Sequence, residues 1–395
     1  MYRQTGKITL LFIIFLSLSV EPAAAQMKVL KKVGTFIDSL SIRGVDRNYI
    51  DAPKRPWQVI VRGNINQADL KLRSTLRHAE AIDKDAQGDV VWEPRIKTKP
   101  SYYTGAWVGY RGFGVGYSTK VGGGSGSIFT ASATGGSYGV NLRIHNFETD
   151  NPEVTFTGNF KDEEDPSAGY KHSSMKEKLP MWEPIKTRAL MLDAYYLFNG
   201  KRFSYAAAYD QSVIQKRSAG SFMVGAMYYR NRVKYVHDFN APFIFMMGNI
   251  GKMEQSQLNI GGGYAYNWVP TKGLLVSAMA MPMLSVVNHY KTWRYDSNFR
   301  QDGLSGADID YEDPFYILSM EVFPLKADDP SGKKAVESKN SKIGLNIDGR
   351  LSVTYQWDRF FVNANGQVSR FPYRNGDIKG RLIDWYVNAS VGVRL

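Results

Sequence analysis

The residues of this 395-residue chain best suited to acid–base work or metal ligation are five histidines: His78, His145, His172, His237 and His289. Only His145 falls in a regularly alternating stretch, sharing a face with Asn141 and Arg143. Serines and acids are too numerous for spacing alone to pick out a nucleophile and its base. The expectation is a wall or loop histidine without a catalytic task, and a protein that is not an enzyme. The acidic run Asp308, Asp310, Glu312 and Asp313 offers oxygen ligands, but it lacks the glycine and terminal glutamate spacing of a calcium loop. The chain has no cysteine, which excludes disulfides and thiolate metal sites. Gly112, Gly114 and Gly116 lie inside a strand-like stretch and open no helix, so a dinucleotide fingerprint fails on context. Small residues there relieve curvature or make room for a neighbour. No metal and no cofactor is expected.

The more informative chemistry is a face of alternating charges. Strand phasing puts Arg62, Lys71, Arg73, Arg143, Arg350 and Arg394, with His145, on an inward face. Asp69, Asp193, Asp210, Asp348 and Asp384 fall on that face too. The two signs nearly cancel, so such an interior is either bridged by ion pairs or open as a weakly selective aqueous channel.

The elements that would carry this face are strands. In Lys342–Trp357, apolar Leu345, Ile347, Leu351, Val353, Tyr355 and Trp357 alternate with polar Asn346, Asp348, Arg350, Ser352, Thr354 and Gln356. The last stretch, Asp384–Leu395, repeats the pattern. Strands of soluble sandwiches run about 5 or 6 residues, whereas a tilted strand needs about 9–11 to cross a bilayer. Similar stretches are Trp57–Ile65, Ala68–Thr75, Tyr102–Tyr110, Phe113–Lys120, Ser127–Ala133, Tyr138–His145, Arg188–Phe198, Phe203–Gln211, Phe222–Tyr229, Leu258–Trp268, Leu274–Val286 and Phe360–Arg370. The spacing therefore predicts an all-β, closed, antiparallel transmembrane β-barrel of about twelve to fourteen strands. Residues 57–395 would form it. Aromatic residues at strand ends, Trp57, Trp107, Tyr196, Phe198, Tyr264, Tyr266, Trp268, Tyr355, Trp357 and Trp385, form the expected headgroup-level girdle. Tight turns and long connections alternate from Phe222 to the end, but residues 148–184 and the Asn199 turn fall on the wrong sides; an additional strand such as Val154–Phe160 would repair this.

Residues 1–25 read as a signal peptide, with basic Arg3 and Lys7, an apolar core and Ala23-Ala24-Ala25 before the cut. Residues 26–56 form a periplasmic segment in which Met27 to Leu40 has the apolar spacing of a short helix. Export and barrel pattern together imply a Gram-negative outer membrane. A net charge of +13 then points away from nucleic acid. It points toward outer-membrane lipid, lipopolysaccharide phosphates or anionic small solutes, with the barrel-assembly machinery as a further expected partner.

Three stretches carry a resemblance. Gly44 to Ile50 (GVDRNYI) with Arg55-Pro56-Trp57, Phe198 to Tyr205 (FNGKRFSY) continued by Gln215 to Phe222 (QKRSAGSF), and Gly261 to Tyr266 with the closing Gly392 to Leu395 resemble a Bacteroidetes-type outer-membrane barrel family, a domain of unknown function. The resemblance implies fold and location and brings no catalytic residues. A passive pore or solute-uptake channel is the leading expectation. A structural or loop-presenting barrel with a plugged lumen is the alternative, ahead of a barrel enzyme acting on lipid or peptide and a soluble periplasmic β-protein.

Overall fold

Alternation over nine residues or more forces a chain to put one face in and one face out, and it does so here in nearly every strand. The computed structural model describes residues 44–76, 86–122, 124–149, 153–162, 165–178, 184–234, 250–294, 336–340, 344–375 and 378–395. The expected signal segment, the Met27 to Leu40 stretch, His78, His237 and the acidic run from Asp308 lie outside them.

Among the described residues twelve strands pair in sequence order: β1 (Trp57–Leu76), β2 (Ser101–Tyr110), β3 (Phe113–Val121), β4 (Gly126–Thr134), β5 (Tyr138–Thr149), β6 (Ile185–Leu197), β7 (Ala219–Lys234), β8 (Ile250–Thr271), β9 (Leu274–Arg294), β10 (Gly344–Trp357), β11 (Phe360–Asn375) and β12 (Ile378–Arg394). Each is antiparallel to the next, and β12 pairs back on β1 from Arg394 opposite Gln58 to Lys379 opposite Arg73. The ladder thus returns on itself, and no strand of the ring is left with an unpaired edge along this span. Ala86–Lys97, Glu153–Lys161 and Tyr170–Lys178 form a flap built onto the far half of β1, and Val336–Asn340 pairs antiparallel alongside the far end of β9.

Short turns at Arg111-Gly112, Thr271 to Leu274 and Asp358-Arg359 gather at one end with both ends of the ring, where Trp57 and Leu395 exchange backbone hydrogen bonds. Arg111 and Gly112 both take positive φ, 49° and 88°, the primed hairpin geometry that suits strand twist.

Two expected strands are corrected. Ala68–Thr75 continues Trp57–Ile65 as a single 20-residue strand. Phe203–Gln211 is no strand; it holds helix α1 (Tyr205–Tyr209), folded inside the ring. Fourteen expected strands thereby become twelve, and the Asn199 turn and residues 148–184 fall on their proper ends. Val154–Phe160 is a strand, but in the flap and not in the ring.

The two faces are inverted relative to a water-soluble core. Val61, Leu351 and Phe222 point outward at 63%, 66% and 70% exposure, while Asp348 and Asn259 point inward at 1% and 0%.

Candidate functional site in the lumen

The connection between β6 and β7, residues 198–218, turns into the ring and closes its short-turn end. Ser204 caps α1 by accepting a hydrogen bond from the Ala207 amide (3.2 Å), and Gln211, at φ 56°, ends it in the left-handed conformation that terminates many helices. Ala206, Ala207 and Ala208 are buried, and their small side chains let the helix lie close to the walls. Its last carbonyls need outside donors, and the walls supply them. Ser352 (2.6 Å) and Asn363 (3.3 Å) donate to the Ala208 carbonyl, and Gln58 (2.6 Å) and Arg394 (3.0 Å) to that of Gln211.

Residues 198–218 also bring together the stretches that carry the resemblance. Ile50-Asp51 pairs as a two-residue strand with Ile214-Gln215. Buried Gln215 accepts from the Ser204 amide (2.9 Å) and Asn267 (3.1 Å), and donates to the carbonyls of Arg202 (2.6 Å) and Arg217 (2.9 Å). The Tyr49 ring lies against the guanidinium groups of Arg202 and Arg217, 5.1 and 5.9 Å away. Sequence reading missed Tyr49, Tyr205 and Gln215 as site residues, although all three stand in the very blocks it quoted.

Beyond the plug, side chains from strands that are not neighbours in the ring meet across the lumen. Arg350 on β10 donates to Asp348 (2.9 Å), lies 3.2 Å from Asp193 on β6, and donates to the Tyr205 hydroxyl of the plug. Asp348 also accepts from Gln367 (2.6 Å) and Ser369 (2.9 Å). Arg143 on β5 reaches Asp384 on β12 at 2.8 Å and lies 4.4 Å from the Tyr386 ring. His145 meets the Tyr103 hydroxyl at 2.9 Å. Tyr229 on β7 and Phe371 on β11 stack with centroids 4.0 Å apart. Methionines at 191, 223, 227, 279, 281 and 283 fill much of the remaining lumen.

Arg62, Arg143, His145, Asp193, Asp348, Arg350, Asp384 and Arg394 lie on the inner side of the ring. Asp210 lies inside too, but at the end of α1 and not on a wall strand. Lys71 and Arg73, with Asp69, do not. Because β1 runs unbroken, they share the outward parity of Val59 and Val61; Lys71 and Arg73 pair with Glu93, and Asp69 with Arg95, on the flap. In the aromatic set, Trp57, Tyr196, Phe198, Tyr264, Tyr266, Trp268, Tyr355 and Trp357 are exposed on the outer face, and half-buried Trp385 has the same outward parity. Trp107 is the exception. It is buried inside, its indole lying over Gly114 and Gly116 of the neighbouring strand, so those glycines do make room for a neighbour.

Above α1 the lumen retains a cavity in which a water centre can occupy about 140 Å³. Arg62, Asn66, Asp193, Asp210, Arg350 and Asn388 are among the residues that line it. Burial pushes the Asp210 carboxyl up to about 7, with Asp193 adding to the rise and the hydroxyls of Thr134 and Ser132 and the Arg350 charge opposing it. No cluster of metal-binding residues occurs among the described residues.

These features define a nearly all-antiparallel β protein with a polar, plugged interior and an apolar outer face. The chain belongs to the family described as domain of unknown function (DUF4421), whose profile matches residues 46–394. No curated protein matches it. Among solved structures it is similar to the outer-membrane protease OmpT from Escherichia coli, at 8% identity over 87% of this chain and 97% of that one, with a TM-score of 0.36. It is also similar to the translocator domain of the autotransporter NalP from Neisseria meningitidis (7% identity, 94% and 97%, TM-score 0.28). A third is the toluene transporter TodX from P. putida (6%, 87% and 91%, TM-score 0.27).

Proposed function

We propose that this chain is an outer-membrane β-barrel whose lumen is closed, and that it serves as a non-conducting barrel presenting its long-loop end. The observation that carries the closed lumen is that charged groups from strands four and five apart in the ring meet in it, Arg350 with Asp193 at 3.2 Å and Arg143 with Asp384 at 2.8 Å. Residues 198–218 block the short-turn end as well. Support for the membrane comes from the outer face, a band of exposed Val, Leu and aromatic residues on a ring whose backbone groups pair internally, as hydrocarbon requires. On this reading the aromatic band from Trp57 to Trp357 sits at the periplasmic headgroups. Lipid and lipopolysaccharide surround the barrel, and the barrel-assembly machinery inserts it. The chain carries out no catalysis of its own. The geometry favours this reading over a passive pore.

Planar-bilayer recording on refolded protein tests the proposal. Wild type should insert, shift its gel mobility on boiling and pass no current. A steady single-channel conductance from correctly folded protein would return the pore to first place.

A further inference from the structure

Most lumenal charges are answered by a charge of opposite sign, but two cavity-lining groups are not. The Arg62 guanidinium donates to the neutral hydroxyls of Ser118 (3.2 Å) and Thr130 (2.8 Å), and the Asp210 carboxyl lies beside those of Thr134 and Ser132. No ion pair of either occurs among the described residues. Among the described residues Asp210 Oδ2 has no hydrogen-bond partner, nor do Asn66 Nδ2 and Asn388 Oδ1. Asn66 is only 2% exposed. All three residues line the same cavity. Unsatisfied buried polar atoms are costly and call for an occupant.

Thr130 and Ser132 are successive inward positions on β4, and two residues of strand span about 7 Å. That distance exceeds the ~4 Å of a direct ion pair. It lets one small molecule hydrogen-bond to a cation at one end and an anion at the other.

We propose that the cavity binds a small zwitterion, its carboxylate held by Arg62, its ammonium by Asp210, and its remaining polar edge by Asn66 and Asn388. The site rests on the closed-lumen reading, since a wide water-filled pore would hydrate these groups with bulk solvent.

Calorimetric titration at pH 8 of refolded protein tests it, using glycine, β-alanine and 4-aminobutyrate, which carry the same two charges at increasing separation. Methylammonium chloride and sodium acetate serve as single-charge probes. At least one zwitterion should bind saturably and more tightly than either single-charge probe. Its affinity should fall about tenfold or more in Asp210→Asn and in Arg62→Gln, the loss expected for one charge-assisted hydrogen bond. Acetate should respond only to the Arg62 variant and methylammonium only to the Asp210 variant. Should either neutral variant fail to fold, Asp210→Glu and Arg62→Lys, which keep the charge and move it, should shift the preferred zwitterion length. Absence of saturable binding by all three zwitterions, binding indifferent to both residues, or a cavity filled only by ordered water would overturn the proposal. Bilayer recording reads the closed lumen independently, so a silent barrel that binds nothing sinks the site and spares the barrel.

Discussion

Arg350 on β10 and Asp193 on β6 stand four strands apart around the ring, yet their side chains come within 3.2 Å of each other. Arg350 also holds Asp348 and the plug residue Tyr205, so one guanidinium ties two walls and the plug together. Removing one partner of a buried pair leaves the other charge uncompensated, at a cost of ~3–5 kcal/mol. Arg350→Met should therefore lower sharply the temperature at which the compact gel band is lost. Adding Asp193→Asn and Asp348→Asn should restore much of it. A single variant as heat-stable as wild type would show that the cluster does not hold the lumen closed.

The outer face gives a second test. Leu351 is exposed on the outward side of β10, and arginine at a lipid-facing midplane position costs ~2–4 kcal/mol. Leu351→Arg should reduce the folded fraction recovered in lipid vesicles, whereas Leu351→Phe should not. Equal yields would place Leu351 away from hydrocarbon.

Much of this arrangement is legible in the sequence because a closed ring of strands has an outer and an inner face, and β10 alternates between the two residue by residue. The errors have local causes. Phe203, Tyr205, Tyr209 and Gln211 mimic period two, but α1 is five residues long and surrounded by protein, so it carries no amphipathic helical signature. Splitting β1 at Ile65 lost its parity and turned Lys71 and Arg73 inward. Trp107 looked like a girdle residue because nothing in its own strand shows the space left by Gly114 and Gly116. Arg143 and Asp384 were both placed inside, but they are 241 residues apart in sequence and their pairing is a property of ring closure. The cavity that Arg143 helps to line has no linear signal at all.

Trp107 yields a third prediction. A Cβ on Gly114 would fall within its indole, and overpacking of this kind costs about 1–3 kcal/mol. Gly114→Ala should lower the heat stability of the folded band, and Trp107→Leu in the same chain should recover it. Failure of the second substitution to compensate would mean that the glycine serves the backbone and not the ring.

Gln215 ties residues 198–218 to Tyr49 and to the β8 residue Asn267 through its amide. Gln215→Ala strands several buried groups, each at about 1–3 kcal/mol, but it leaves the ring ladder intact. Trypsin should then cut at Arg202, Lys216 or Arg217 while the barrel keeps its heat-modifiable band. Mass spectrometry of the fragments reads this directly, and a variant as resistant as wild type would deny Gln215 its role.

Asp210 makes the plug sensitive to pH. Burial raises its carboxyl from 3.8 to about 7, so between roughly pH 4 and pH 7 the folded protein holds a proton that the unfolded chain has released. The stabilisation from this group is complete below pH 4, declines as pH rises through the window, and is gone above pH 7, where folding must bury an ionised carboxylate. Asp193 stands near with the same sign, and Arg350 opposes it, but Arg350 is already held by Asp193 and Asp348. Asn at this position keeps the shape and cannot ionise. Asp210→Asn should therefore match wild type near pH 4 and exceed it in heat stability at pH 8. Other carboxylates contribute equally to both proteins, so the difference between the two melting curves isolates this residue. Curves that run parallel from pH 4 to 8.5 would mean that Asp210 is hydrated in the fold and takes its ordinary value.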